Sequence, residues 1–153
     1  MSLAKNFEKL VFDGINELKD CYCLRLYDTM YINARNPSDF VAYKKPNMIL
    51  LECKTTAGTS LPFKNISDGQ WEDISNATKQ AKGIVGLILV WFYDKDVTLA
   101  INIKELIKMR EAGKKSIRFD TVGDGIIVVD GKKSHKYFKY DFNKMMNEVK
   151  QWK

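Results

Sequence analysis

Hydrophobic residues recur at two different spacings along this chain, and segments of the two kinds alternate. Helical spacing, with apolar residues three or four positions apart, marks residues 5–19, 67–79, 103–112 and 142–152. Alternating or continuously apolar runs typical of strands mark residues 20–27, 38–43, 48–55, 83–93, 97–103, 125–129 and 134–140. We therefore predict one α/β domain over residues 1–153, with a mixed central β-sheet flanked by helices.

Capping and turn residues set the expected boundaries. The sequence KKPN at residues 44–47 separates two predicted strands and has the chemistry of a turn. Residues 56–65 are polar and are expected to form a loop. Ser67 followed three residues later by Gln70 matches a capping box, so a helix should begin there. Asp141 is the expected cap of the last helix.

Composition and charge restrict the chemistry. A chain of 153 residues with 45% hydrophobic and 29% charged residues is typical of a globular domain. The formal net charge of +6 favours a polyanionic partner. The single histidine, His135, lies in a lysine-rich segment, which argues against Ser-His-Asp or Cys-His catalysis. Three cysteines without paired-ligand spacing and the lack of a bilayer-length apolar run favour a cytoplasmic protein with no membrane partner.

Two carboxylates come together if the strands on either side of the KKPN turn form a hairpin. With Lys45 and Pro46 at the centre of the turn, the numbers of paired residues sum to 91. Asp39 then faces Glu52, at about 5 Å between Cβ atoms. Lys54 is two residues beyond Glu52 and therefore lies on the same face of the strand.

Like charges on neighbouring strands need a neutralising partner. Lys54 can supply it alone, but a divalent metal would do so more completely. Carboxylate oxygens and the backbone carbonyl of Cys53 are ligands that suit Mg²⁺ or Mn²⁺. A lysine beside such a metal can orient the attacking water or help to deprotonate it. From these residues alone, a surface hairpin with an ordinary Glu-Lys face is an equally good interpretation.

Two segments together resemble a nuclease family. PSDF at residues 37–40, followed after twelve intervening residues by Glu52-Cys53-Lys54, resembles the PD-(D/E)XK nuclease superfamily. SLPFKNI at residues 60–66, with Gln70 shortly after it, resembles the RecU family of Holliday-junction resolvases. Two shorter runs are also similar to segments of that family, NFE at residues 6–8 and KSI at residues 115–117. The resemblance implies a fold of the PD-(D/E)XK, restriction-endonuclease-like type.

The resemblance also assigns roles at the hairpin. Asp39 and Glu52 would bind Mg²⁺ or Mn²⁺, together with the backbone carbonyl of Cys53. Lys54 would be the catalytic lysine. The expected chemistry is therefore metal-dependent hydrolysis of DNA phosphodiesters.

Further residues have both a functional and a structural interpretation. Gln70 would lie near the metal or the scissile phosphate, or would only cap its helix. Glu8 would be an auxiliary acid near the metal, or a solvated helix residue. Ser38 would contact phosphate, or would shape the start of its strand. Phosphate contacts are also expected from three lysines, Lys44, Lys45 and Lys64.

The chain departs from the family in two places. Gly69 stands where the family usually has a histidine before the glutamine, and residues 28–37 are too few to form the family's protruding stalk. We expect an endonuclease that acts as a homodimer on branched DNA, above all Holliday junctions, in recombination and repair in a bacterial or phage-infected cell. The alternatives are a nuclease for linear duplex DNA and a non-catalytic DNA-binding module with the same fold.

Overall fold

A six-stranded mixed sheet lies at the centre of the molecule, in a computed structural model that describes residues 2–27, 35–133 and 138–152. The helices are α1 (Leu3–Asn16), α2 (Asp68–Gln80), α3 (Ile103–Glu111) and α4 (Phe142–Val149). The strands are β1 (Tyr22–Arg25), β2 (Phe40–Lys44), β3 (Asn47–Thr56), β4 (Ser60–Pro62), β5 (Ile84–Phe92), β6 (Val97–Asn102), β7 (Ser116–Arg118), β8 (Ile126–Val128), β9 (Gly131–Lys133) and β10 (Phe138–Tyr140). The predicted α/β class is confirmed.

The central sheet has the strand order β1-β2-β3-β5-β6-β8. Strands β3 and β5 are parallel, and every other neighbouring pair is antiparallel, so the sheet is mixed as predicted. Helix α2 lies in the connection between the two parallel strands, as a parallel crossover requires. Strand β5 is buried on both faces, which explains its continuously apolar sequence.

The two faces of the sheet carry separate cores. On one face, α1 and α4 pack in a common apolar cluster with alternate residues of β3, including Cys53. On the other face, α2 and α3 pack against β5 and β6. Gly86 in β5 permits the close approach of both helices, because a Cβ there would lie 2.4 Å from Ile74 Cγ2 and 2.7 Å from Ile103 Cγ2. Helix α2 is thereby held against the face that carries Glu52.

The largest difference from the sequence-based prediction concerns residues 56–65. Instead of a loop, they contain β4 and a 3-10 turn, Phe63–Asn65. Strand β4 pairs antiparallel with β7, and Leu61 lies opposite Ile117. Burial of Leu61 and Phe63 drives this pairing and outweighs the polar residues around them.

Element ends also differ from the prediction. Helix α1 ends at Asn16, because the Asn16 side chain bonds both backbone groups of Cys23 and draws the chain into β1. Residues 134–137 of the predicted 134–140 strand, with His135, lie outside the described residues, as do residues 28–34 of the short connection. No helix in the described ranges is both long and apolar enough to cross a membrane.

Candidate active site

The β2–β3 hairpin has the predicted register. Lys44 pairs with Asn47 and Phe40 with Leu51, so paired residue numbers sum to 91. Asp39 is the residue before β2 and comes opposite Glu52. Its backbone N–H donates to Glu52 Oε2 at 3.0 Å, and the Cys53 N–H donates to Asp39 Oδ2 at 2.9 Å. Each carboxylate therefore accepts a hydrogen bond from a backbone N–H on the other side of the hairpin.

The Glu52 carboxylate is buried beneath two further polar side chains. Only 4% of Glu52 is exposed. Its Oε1 accepts a hydrogen bond from Gln70 Nε2 at 2.6 Å and lies 3.5 Å from Lys54 Nζ. Lys54 therefore lies on the same face as Glu52, as predicted. The hairpin and α2 together enclose one carboxylate with a cation and an amide donor.

The electrostatics of the pair favour a bound cation. Burial and, after it, the charge of the neighbouring Asp39 raise the pKa of Glu52 to about 7, although Lys54 opposes both effects. Burial, followed by the charges of Asp39 and Glu52, also raises the pKa of the Cys53 thiol well above its ordinary value. Cys53 is thus unsuited to act as a thiolate, and its backbone carbonyl remains the group it offers to the site.

Asp39 and Glu52 fit a hard divalent metal better than a zinc ion. Within the described residues, no group of three or more His, Cys, Asp or Glu side chains is arranged to hold a metal. Mg²⁺ commonly takes only one or two protein carboxylates and keeps several waters. The buried Glu52, with a raised pKa and a second carboxylate opposite it, is a donor whose charge such an ion would compensate.

Glu8 reaches the same region from α1, where it is paired with an arginine that the sequence analysis missed. Arg25 Nη2 donates to Glu8 Oε2 at 2.9 Å. Burial raises the pKa of Glu8, the Asp39 charge adds to this effect, and Arg25 lowers it. Glu8 is therefore close enough to sense Asp39 but already carries a counterion. Arg25 shares the α1-facing side of β1 with Cys23, and that position in the alternating strand is the signal that could have revealed it.

Gln70 caps its helix and also bonds Glu52, whereas its predicted place near the metal or the scissile phosphate stays a prediction. Its backbone N–H donates to Ser67 Oγ at 3.2 Å, and its Oε1 accepts from the Ser67 N–H at 3.0 Å. These two bonds form the predicted capping box. The remaining amide group of the same side chain donates to Glu52. The helix cap thereby positions the donor.

A comparison with family models matches residues 16–148 to RecU, Recombination protein U. The chain belongs to the RecU family. The match includes Asp39, Glu52, Lys54 and Gln70, whereas Glu8 lies before it. The resemblance stated from the central segment is therefore confirmed.

Among solved structures, Hjc of Archaeoglobus fulgidus, a Holliday junction resolvase from an archaeal hyperthermophile, is similar to the chain with a TM-score of 0.51. The identity is 13%, and the match covers 65% of this chain and 77% of that one. At this identity the likeness shows the fold alone, and it confirms the expected PD-(D/E)XK type of nuclease fold. A comparison with curated proteins gives no match.

Gly69, which stands where the resemblance to the RecU family leads us to expect a histidine, lies against the Arg35 side chain. A Cβ on Gly69 would lie 2.9 Å from both Cζ and Nη1 of Arg35. The Arg35 guanidinium is held there by Asp73, through bonds of 2.6 Å and 2.8 Å to the two carboxylate oxygens. Arg35 thus takes the space of a side chain next to Gln70, a role that sequence reasoning missed because residues 35 and 69 are far apart in the chain.

The four predicted DNA contacts occupy different places. Ser38 is buried and donates to the Phe40 carbonyl at 2.8 Å, which supports its structural interpretation. Lys44 bonds Asn147 in α4 at 2.8 Å, and Lys45 is exposed beside it at the hairpin turn. Five strand residues, about 17 Å, separate Lys44 from Asp39. Lys64 is exposed in the 3-10 turn close to Ser67.

Proposed function

We propose that this chain is a cytoplasmic, metal-dependent endodeoxyribonuclease that cleaves Holliday junctions in DNA recombination and repair. The observation that carries the proposal is the cluster of Asp39, Glu52 and Lys54, fixed by the β2–β3 register and bonded to Gln70. The cluster occurs in a member of the RecU family with a nuclease fold.

The proposed metal ligands are Asp39, Glu52 and the Cys53 backbone carbonyl. A bound Mg²⁺ or Mn²⁺ supplies Lewis-acid activation of the phosphate and of a water molecule. Lys54, whose ammonium lies 3.5 Å from Glu52 Oε1, orients the attacking water and balances negative charge that develops at phosphorus. Gln70 fixes the orientation of the Glu52 carboxylate through its 2.6 Å bond.

A homodimer suits the proposed substrate, because two sites related by a twofold axis can cut two opposed strands. The residues that support this assembly form an apolar surface on β1, β2 and β3. The apolar surface consists of the exposed side chains Tyr22, Leu24, Tyr43 and Met48. It lies on the same face of the sheet as Glu52, since Met48 and Glu52 are four residues apart in β3. A second copy packed there would turn the Glu52-bearing faces of the two sheets toward each other.

Two alternatives have distinct consequences. Only ten residues, 28–37, are present where the RecU family builds its stalk, and this shortness favours a nuclease for linear duplex DNA. A non-catalytic DNA-binding module would bind DNA without cutting it.

The test compares a four-way junction with a linear duplex of the same arm sequences, with and without Mg²⁺ or Mn²⁺. We expect metal-dependent cutting that prefers the junction. Glu52→Gln and Lys54→Ala should each lower the rate about 10²-fold or more without unfolding the protein. Lys108→Ala, a charge change on the exposed face of α3, is the matched control and should cut normally.

Wild-type cutting rates in either active-site variant would exclude the proposed cluster. Equal cutting of both DNAs would favour the linear-duplex alternative. DNA binding without cleavage in either metal would identify the non-catalytic module.

A further inference from the structure

A surface cavity of about 450 Å³ lies next to the candidate active site but outside it. It is enclosed by the 3-10 turn after β4, the first turn of α2 and the last turn of α3. The lining residues that matter here are Phe63, Lys64, Ser67, Asp68, Trp71 and Arg110. Pairing of β4 with β7 helps to hold this region together, because the Phe63 N–H also donates to the Lys115 carbonyl at 2.8 Å.

The charges in this cavity favour an anionic ligand. Lys64 and Arg110 are both exposed, and neither forms an ion pair with a carboxylate in the part of the chain that the structure describes. Asp68 supplies the opposing charge and lies in the first turn of α2, where the helix dipole stabilises it. Two cations therefore face one carboxylate that already has favourable surroundings.

The geometry of Arg110 favours phosphate over a nucleobase. Its Cζ lies 4.1 Å from the centre of the Trp71 ring, so the guanidinium packs on the indole. Phe63 packs against the same ring edge-to-face at 5.6 Å, and Trp71 is only 4% exposed. No open face of Trp71 is left for a base to stack on. The guanidinium edge, by contrast, can offer the planar pair of N–H donors that matches a phosphate.

A short chain of hydrogen bonds connects the cavity to the catalytic pair. Ser67 lines the cavity and exchanges two hydrogen bonds with Gln70, which donates to Glu52. Three residues, or about 4.5 Å of helical rise, separate Ser67 from Gln70 at the start of α2. Because the cavity is joined to Glu52 through only two residues, Ser67 and Gln70, we expect phosphates next to a scissile phosphate at Glu52 to lie near the cavity.

We propose that this cavity binds a backbone phosphate of the cleaved DNA strand, held by Arg110 and Lys64 within one to three nucleotides of the cut. This inference rests on the proposed function and adds a substrate contact to it. Arg110 contributes a rigid, stacked donor pair, and Lys64 contributes a second positive charge from the opposite wall. The contact would fix the register of the strand relative to Glu52 and Lys54.

The experiment measures binding of a four-way junction as a function of salt, with all variants in a Glu52→Gln background to prevent cleavage. Arg110→Ala should weaken binding roughly three- to tenfold and lower the slope of log K against log salt by about one. Lys64→Ala should act in the same direction. Lys108→Ala removes the same charge from the same helix but lies outside the cavity, and it should change affinity less than about twofold.

A second measurement locates the phosphate. Single phosphates around the cut are replaced one at a time by neutral methylphosphonates. At one position the replacement should weaken binding to the Glu52→Gln protein. The same replacement should not weaken binding further when Arg110→Ala is also present, since the replacement and the substitution remove the same contact. Circular dichroism confirms that the exposed substitutions leave the fold intact.

Equal effects of Arg110→Ala and Lys108→Ala, or additive effects at every methylphosphonate position, would overturn the cavity assignment while the nuclease proposal stands. If the Glu52→Gln protein did not bind the junction and wild type did not cleave it, both the cavity assignment and the nuclease proposal would be wrong.

Discussion

The Glu52 carboxylate is buried, so the free energy of its ionised form depends on the groups that neutralise its charge. Lys54 opposes this effect, but burial and the neighbouring Asp39 charge still raise the pKa of Glu52 to about 7. In the metal-free site, ionised Glu52 is consequently destabilised by burial and by the charge of Asp39. A divalent ion bound to Asp39 and Glu52 would compensate these charges, at the place that the substrate phosphate must approach.

The raised pKa makes the stability of the metal-free protein depend on pH in a defined direction. Between the ordinary value of 4.5 and about 7, folded Glu52 keeps a proton that the unfolded chain has lost. Its contribution to the free energy of unfolding therefore falls as pH rises through this window, by up to about 3 kcal/mol. Urea unfolding of Glu52→Gln and wild type should show the variant gaining relative stability from near pH 5 to near pH 8.

The same measurement contains its own control. Mg²⁺ added near pH 8 should stabilise wild type and leave Glu52→Gln nearly unchanged, because an ion that binds only the folded state raises its stability. A difference between the two proteins that does not vary with pH would show that Glu52 titrates normally.

The grouping of Asp39, Glu52 and Lys54 could be predicted from local features of the sequence. The position of the turn set the sum of 91, and strand alternation then placed Asp39, Glu52 and Lys54 together. The pairings of Arg25 and Arg35 could not be found this way, although strand alternation places Arg25 on the α1-facing side of β1. Their contacts to Glu8 and Asp73 depend on how α1 and α2 pack against the sheet, which no local spacing encodes.

Helix α2 connects its own N-terminal cap to the proposed catalytic carboxylates. Its first turn is fixed by the reciprocal bonds of Ser67 and Gln70, and its body is fixed by Trp71 and Ile74 in the second core. The Gln70 amide is thereby held 2.6 Å from Glu52 without relying on a flexible loop. A site built in this way keeps its geometry when substrate is absent.

Two substitutions separate the cap from the donor. Gln70→Glu retains a capping-box residue but replaces the donor to Glu52 with a carboxylate oxygen, so cleavage should fall about 10²-fold. Ser67→Ala removes the cap oxygen and should cost about 1 kcal/mol of stability, with cleavage within a few-fold of wild type. Cleavage rates and urea unfolding of the two variants, measured in parallel, distinguish the cap role of Gln70 from its hydrogen bond to Glu52. An equal loss of cleavage in both variants would mean that Gln70 acts only through the cap.

Sequence patterns predicted the elements well where they were long. The amphipathic stripe of α1 and the apolar run of β5 were found because each repeats over several turns or strand positions. Strands β4 and β7 were missed as a pair, since each has three residues and Leu61 lies 56 positions before its partner Ile117. Non-local pairing of short strands leaves no periodic signal to detect.

At the scale of the whole molecule, the two sheet faces are unequally covered. Helices α2 and α3 cover β5 and β6, while the apolar surface on β1, β2 and β3 is left exposed on that same side. Tyr22 and Tyr43 are direct cross-strand neighbours within it. Contiguous exposed apolar side chains of this kind are typical of an interface.

Charge placed on this surface should therefore dissociate the proposed dimer. Leu24→Lys or Tyr43→Lys should shift the sedimentation of the protein from dimer to monomer and reduce paired cutting of a junction to independent nicks. Val122→Lys is the matched control, because Val122 is also an exposed apolar residue but lies away from the surface. Dimers that persist in both surface variants would place the interface elsewhere.

The parallel pairing of β3 with β5 has a consequence for the order of events during synthesis. All five proposed catalytic side chains precede residue 71, whereas the strand that fixes Glu52 and Lys54 from the other side begins at Ile84. Helix α4, which packs with α1 beneath Cys53, follows much later, at Phe142–Val149. The proposed catalytic residues are thus synthesised before β5 and α4, which complete the sheet and the core around them. DNA-cutting ability is expected to arise only after β5 and α4 have been synthesised, because long-range closure of the crossover must come first.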